Sequence, residues 1–555
     1  RLLWRIAQVL FWDVAVPVII YITAYIPRWN LAQSLDLITD EGVYIEWGRT
    51  EYTLLLHGDL LNNLWWKNAE APDLPKLLMG WGSFHLAHNN ALNGWLLGAR
   101  QPGVVLSAVF LALAYLLARP VFGKPAAALG ALALALSPWL AYFSAIAYLD
   151  TYMLAFMTLA ILLTWHAARR PWLLPLVGVL LGLGFASKYT AAASIVPIAL
   201  YLSYYYFCVE HRRITGIPWQ VLLVIPATLL ALYIADPFIW TNPVTNLWDS
   251  IYYQVIHAAD GHEVFWVGQV WEHVPPGLAL YILLAKMSLV VTVPALLTLP
   301  YALWRVIRAR RAPTATDDTA AFALFWLGGL LPAFSSLNIV VGTHYMLPLA
   351  PPSAFISCWA LIYGSRWLTP RLVTALKLAW ARLPERVAQV REQGSSILRT
   401  PQTQRVVTLA LLFAVCLLVI VPPAHGLATV AQAEGYTSEW LPGENHSLQV
   451  AYPGYADAIY WIEAHSHGRT TVSLVGPEHA LDYWKRTRQN LFQNRIRLSF
   501  DTPTHYKDAT YIVWPMHLIQ RQFPTPPDWR SHVVATIRGG DTAYCYILYN
   551  PHATA

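Results

Sequence analysis

The chain has 555 residues, 56% of them hydrophobic and only 12% charged, with a formal net charge of +6. Soluble domains carry about twice that charged fraction, so a soluble globular fold is excluded, and recurring long apolar runs mark a polytopic helical membrane protein. The basic excess sits in short clusters between apolar runs, which argues against a nucleic-acid partner, and four cysteines are too few for a disulfide framework.

Eleven membrane helices are expected in chain order, near 8–27, 101–118, 124–145, 147–168, 171–187, 190–209, 219–239, 278–304, 319–337, 341–363 and 404–422. Cytoplasmic loops are enriched in Lys and Arg. The clusters at Arg169–Arg170, Arg212–Arg213, Arg305 to Arg311 and across 365–403 are therefore expected inside, as is the turn holding Arg119 and Lys124. That leaves a cytoplasmic N-terminus and puts 28–100, Asp150, Lys188, 240–277 and everything after 423 outside. The apolar segment 76–98 is expected to lie in the outer interface, because a full span would shift the parity and because His85, His88, Asn89 and Asn90 suit headgroups better than mid-bilayer. In the 240–277 loop, Trp240, Trp248, Tyr252 and Tyr253 suit an interfacial helix. The tail alternates strand patterns (469–476, 509–515, 542–549) with an amphipathic helix pattern (478–493), which reads as a small α/β domain. The fold class is thus an all-α polytopic membrane protein (1–423) with a small C-terminal extracytoplasmic α/β domain (424–555).

The outer face carries the chemistry-bearing residues. Asp40 and Glu41 adjoin in "SLDLITDEGVYIEWGR" (34–49). Asp40 is either a helix N-cap in a solvated turn or a general base that accepts a proton from an acceptor hydroxyl. Lys76, Arg100 and Lys188 fall on the same side. Each alone could reach to headgroups, but together with Asp40 and Asp150 they suit a lipid-linked phosphate, an acceptor-rich anion. In the 240–277 loop, His257, Asp260, His262 and Glu263 could line an acceptor cleft. His257, His262 and His273 lack tight ligand spacing, so no metal is expected.

Six segments, in order, resemble the protein O-mannosyltransferase and aminoarabinose transferase group of the GT-C glycosyltransferase superfamily: "DEGVY" (40–44) followed by "LLLHGDL" (54–60), "APDLPKLLMG" (71–80), "GARQP" (98–102), "SPWLAYFSAIAYLDTYMLAF" (137–156), "GLGFASKYT" (182–190) and "HYMLPLAPP" (344–352). The resemblance implies transfer of a sugar from a polyprenyl-phosphate donor to a hydroxyl outside the cytoplasm, with inversion and with no cofactor. It implies Asp40 as catalytic base. Glu41, Asp150, His257 and His262 are then expected to face the acceptor, a protein or glycan. Lys76, Arg100, Lys188, His344 and Tyr345 are expected to hold the donor phosphate. This chain has Ala71 and Asp73 where the group has a basic residue and a proline, and His344 where Arg is common. The Trp-Trp-Asp signature of oligosaccharyltransferases is absent, since Lys67 follows Trp65 and Trp66. Residues 240–277 are too few for an inserted β-trefoil domain, which points to a bacterial-type enzyme in a plasma membrane. The competing reading is a non-catalytic membrane subunit on the same fold, serving assembly or lipid binding within a complex.

Overall fold

The computed structural model describes the chain apart from residues 1, 36, 39, 67–70, 88–93, 262, 310–312, 339, 341, 382–400, 430–434, 444–445, 447–453, 477–494, 504–508, 521, 541, 551–552 and 554–555. Among the described residues, eight helices are long and apolar enough to cross a membrane: Trp4–Ser34, Gly94–Phe122, Leu149–Arg169, Tyr189–Val209, Leu289–Arg308, Ala315–Ser335, Thr343–Ala375 and Gln402–Thr429. The chain is an integral membrane protein built on these helices. The three other expected spans meet a pair of helices, Lys124–Ala135 and Pro138–Ala145, bent by 58°, and two shorter apolar helices, Pro171–Phe185 and Trp219–Ala235.

The bend has a local cause. Pro138 cannot continue a helix, so Ser137 turns extended and its hydroxyl accepts the Leu140 N–H. The break frees the carbonyls of Leu134 and Ala135, which accept from the buried Arg28 guanidinium at 3.3 and 2.8 Å. The segment expected as one span at 278–304 is two helices, Leu278–Lys286 and Leu289–Arg308. At that break the Ala285 carbonyl accepts the Ser438 N–H, and Lys286 donates to the Tyr436 carbonyl at 2.9 Å, so the chain beyond the last span is plugged into the gap. The helix starting at Ala350 runs on to Ala381, into what was expected as a loop; basic residues there interrupt the apolar run without interrupting the backbone hydrogen bonding.

Between the first two spans, the described residues include two helices, Glu41–Leu56 and Leu74–His85. They cross at Gly48 and Gly80, where a Cβ on either would come within 2.0 Å of the other helix's backbone (Lys76 O or Gly48 O). The segment expected as one interfacial helix is therefore the end of a short packed helix, then the start of a span, with His88, Asn89 and Asn90 outside the described residues. Pro243–Asp260 forms the expected aromatic helix of the 240–277 region, with Trp248, Tyr252 and Tyr253 exposed. It leads into a hairpin, β1 (Val264–Trp266) and β2 (Gln269–Trp271).

Among its described residues the C-terminal domain has five strands: β3 (Thr470–Val475), β4 (Ile496–Asp501), β5 (Tyr511–Pro515), β6 (Val533–Gly539) and β7 (Thr542–Tyr549), in the order β4-β3-β5-β7-β6. β3 pairs in parallel with β4 and β5, while β7 runs antiparallel to β5 and β6. The expected strands are the three central ones. The edges β4 and β6 were not foreseen, because half-exposed strands do not show a clean apolar run. The helix Tyr455–His465, also unforeseen, lays Tyr455, Ile459 and Ile462 on Val472, Val513 and Ile547 as a core separate from the membrane one. The expected helix 478–493 lies outside the described residues.

Candidate functional site

Asp40 and Glu41 are neighbours in sequence with opposite surroundings. Glu41 is fully buried. Its Oε1 accepts from Arg100 Nε and from the Ala147 N–H, both at 2.7 Å, and its Oε2 accepts from Arg100 Nη2 at 2.6 Å and from the Ile38 N–H at 3.0 Å. The other guanidinium nitrogen of Arg100 donates to the carbonyls of Ala32 and Leu35. The pair thus ties three segments together: the turn before Asp40, the span of Arg100 and the turn before Tyr148. Glu41 and Arg100, expected to contact acceptor and phosphate, have their hydrogen-bonding groups turned into the protein instead.

Asp40 stands at the N-cap position of Glu41–Leu56 but makes no side-chain cap. Its Oδ2 accepts the Tyr148 hydroxyl at 2.5 Å, and the residue is partly exposed. Burial first, and then the Asp40 carboxylate, push the Tyr148 hydroxyl well above its ordinary value, so it stays protonated and donates. Tyr148 packs edge-on against Tyr44 and against His344, whose ring centroid is 5.4 Å away. His344 lies 4.7 Å from the Tyr345 ring, and over that ring sits the Lys188 ammonium, 4.2 Å from its centroid. Lys188 also donates to both oxygens of Asp150, at 2.8 and 3.1 Å. Burial works against its charge, but Asp150, Tyr345 and Asp40 outweigh this and raise its pKa. Asp40, Asp150, Lys188, His344 and Tyr345 therefore form one continuous cluster. Within it Lys188 keeps 18% of its side chain exposed, whereas Asp150, at 2%, serves as its buried counter-ion.

Lys76 is elsewhere and shut in. Its ammonium is 2.5 Å from Asp73 and 3.0 Å from Glu51, with all three side chains at most 2% exposed. Asp73 in turn accepts the Phe238 N–H at 2.9 Å, and Asp236 accepts the Asp73 N–H at 3.2 Å. This knot joins the region between the first two spans to the end of Trp219–Ala235. Burial and the Asp73 charge push Glu51 and Asp236 well above the ordinary carboxylate range, against the pull of Lys76. Lys76, expected on the donor phosphate, has its ammonium enclosed by these acids. His257 lies on Pro243–Asp260, stacked on Tyr253 with centroids 5.6 Å apart, and His262 lies outside the described residues.

Sequence reading missed Tyr148, Glu51 and Asp236. A tyrosine two residues before Asp150 in an otherwise apolar turn was the available signal for the first; nothing local marks the other two, which meet Lys76 only through helix packing. Among the described residues no three His, Cys, Asp or Glu side chains are grouped to hold a metal ion.

Residues 81–240 match the family described as "Dolichyl-phosphate-mannose-protein mannosyltransferase". That stretch, well short of half the chain, holds Arg100, Asp150 and Lys188 and leaves out Asp40, Glu41, Lys76 and His344. It agrees with the resemblance carried by the segments at 98–102, 137–156 and 182–190. No curated protein matches the chain. Among solved structures, the chain is similar to ArnT from Cupriavidus metallidurans in the apo state, at 15% identity over 98% of each chain with a TM-score of 0.45. It is similar to the same protein bound to undecaprenyl phosphate, at 15% identity over 99% of each chain with a TM-score of 0.45. It is also similar to the Archaeoglobus fulgidus oligosaccharyltransferase tethered with an acceptor peptide containing the NVT sequon, at 13% identity over 92% of this chain and 69% of that one, with a TM-score of 0.48.

Proposed function

We propose that the protein is a membrane glycosyltransferase that moves a sugar from a polyprenyl-phosphate donor to an acceptor hydroxyl on the outer face. The observation that carries this reading is the placement of a partly exposed carboxylate, Asp40, beside a partly exposed ammonium, Lys188, through the chain Tyr148–His344–Tyr345. A base and a phosphate-binding cation are the two groups that displacement at an anomeric carbon requires. The motif resemblance and the family match over 81–240 support it.

In this reading Asp40 takes the proton of the acceptor hydroxyl as its oxygen bonds to the anomeric carbon. The bond from that carbon to the phosphate oxygen breaks, and the lipid phosphate leaves with the electron pair toward Lys188. Attack opposite the leaving group inverts the anomeric centre. Tyr148 holds one Asp40 oxygen, which leaves the other to face the acceptor. Glu41 with Arg100, and Lys76 with its acids, are positioning groups. Sugar transfer from a polyprenyl-phosphate sugar by the purified wild type, abolished in Asp40→Asn, is the direct test. No transfer by either protein would instead favour the non-catalytic subunit, and equal non-zero rates would remove Asp40 from the chemistry. The proposed sidedness, with the C-terminal domain outside a bacterial plasma membrane and the N-terminus inside, is tested by a reporter fused after Ala555, which should be active only outside the cytoplasm.

A further inference from the structure

We propose that the cleft between the β1–β2 hairpin and the C-terminal sheet is a saccharide-binding site. A cavity of about 570 Å³ opens there, within the range of sites that hold small ligands. Phe265 of the hairpin faces Trp529 and Tyr546 of the domain across it, with Gln520, Gln522 and Arg530 supplying the polar wall. Trp529 and Tyr546 meet edge to face with centroids 4.9 Å apart. A second cavity of about 270 Å³ lies against Trp529 as well, lined further by His532, Tyr549 and Asn550. Trp529 thus lines both spaces.

The lining selects the chemistry. A sugar ring has an apolar C–H face and an edge of hydroxyls, so it needs a flat aromatic surface next to amide, guanidinium or imidazole groups. Those are the groups present. An acyl chain would leave Gln520, Gln522 and Arg530 desolvated against hydrocarbon. A phosphate would want several cations, and Arg530, exposed with its guanidinium carbon 5.4 Å from the centre of the Trp529 ring, is the cation in the wall.

Among the described residues four non-glycine positions have positive φ, and three of them border this cleft: Val267 (φ 49) beside Gly268 in the hairpin turn, Gln522 (φ 56) in the wall, and Asp528 (φ 50) directly before Trp529. Val267 adopts it because the two-residue turn Val267–Gly268 between the paired Trp266 and Gln269 needs positive φ at both positions, and Asp528 is of a residue type that tolerates it, so Gln522 is the strained position in the wall. Calling the saccharide an acceptor rests on the glycosyltransferase reading; that the cleft binds a saccharide does not.

The test uses the full chain in lipid nanodiscs, applied to an array carrying bacterial and eukaryotic oligosaccharides beside a random-peptide panel. Specific oligosaccharides should be retained. Trp529→Ala should weaken binding tenfold or more, and Trp529→Phe should restore most of it. Gln522→Ala, on an exposed side chain that the fold does not need, should weaken it severalfold. Retention of peptides alone, retention of nothing, or glycan binding that survives both Trp529→Ala and Gln522→Ala would each overturn the proposal. Asp40→Asn should bind glycans as the wild type does. If it also transferred sugar as the wild type does, the catalytic reading would fall and the saccharide site would stand.

Discussion

Two lysines on the same face of the molecule carry the same expectation from sequence, and the regions around them differ. Lys76 is enclosed by Glu51 and Asp73, with Asp236 behind them and no solvent contact. Lys188 has one carboxylate partner, an aromatic ring beneath it and part of its surface open. An ammonium enclosed by buried carboxyl groups is already neutralised and shut off from an anion. An ammonium balanced by one acid at a cavity edge retains the field and the access to meet an anion. Charge and sidedness are alike in the two; the number of acids brought to each by tertiary packing is not.

The contrast yields four expected outcomes. The largest lies in the open region: Asp40→Asn should lower turnover by roughly 10²–10⁴-fold, the usual contribution of a general base. Because Asp40 makes no cap, thermal stability should stay close to that of the wild type, as measured by a melting scan on the same sample. Next is the closed region. Lys76→Met leaves buried acids without their cation and should cost roughly 3–5 kcal/mol of stability, read by chemical or thermal unfolding. A stable Lys76→Met protein with weakened donor binding would instead make Lys76 a second phosphate ligand and dissolve the contrast.

A smaller effect is expected for Lys188→Gln. Loss of a charge-assisted contact should weaken binding of undecaprenyl phosphate by about tenfold or somewhat more, the melting temperature should fall because buried Asp150 loses its cation, and Lys188→Arg should recover part of both. The smallest concerns pH. Glu51 has its folded pKa raised well above 4.5 by burial and by Asp73. The folded state therefore binds more protons than the unfolded one above that pH, and this group's contribution to stability falls as pH rises through the window between the two values. Glu51→Gln should flatten that fall and leave the variant more stable than wild type on the alkaline side of that window. A steeper decline in the variant would show that Glu51 is held as a charged partner of Lys76.

Much of the fold was legible because the bilayer imposes it. Apolar runs near 20 residues are forced into helices, since no other structure satisfies their backbone in lipid, and each of the eleven expected spans meets a helix. One error, the bend in 124–145, had a local signal in Pro138; another fell where a break is made by a distant partner. Ser438 and Tyr436 enter the gap at Met287, which no local pattern of 278–304 announces. The edge strands β4 and β6 escaped notice because one face or one side is open, so their sequence does not have to be apolar.

The site divides in the same way. The sequence by itself determined that Asp40, Asp150 and Lys188 lie at the ends of apolar segments on one side, because charge is excluded from the interior of a span, and motif resemblance named them. Only the tertiary structure decided their roles. Glu41, next to Asp40, rotates inward onto Arg100 because consecutive residues at a helix start point in different directions. Tyr148 reaches Asp40 across 108 positions of chain. Glu51 and Asp236 find Lys76 because two glycines let their helices meet backbone to backbone and a proline-led turn brings residue 236 alongside. Whether a charged side chain is a tool or a rivet depends on how many partners reach it through space, and that count is a property of packing rather than of the local sequence.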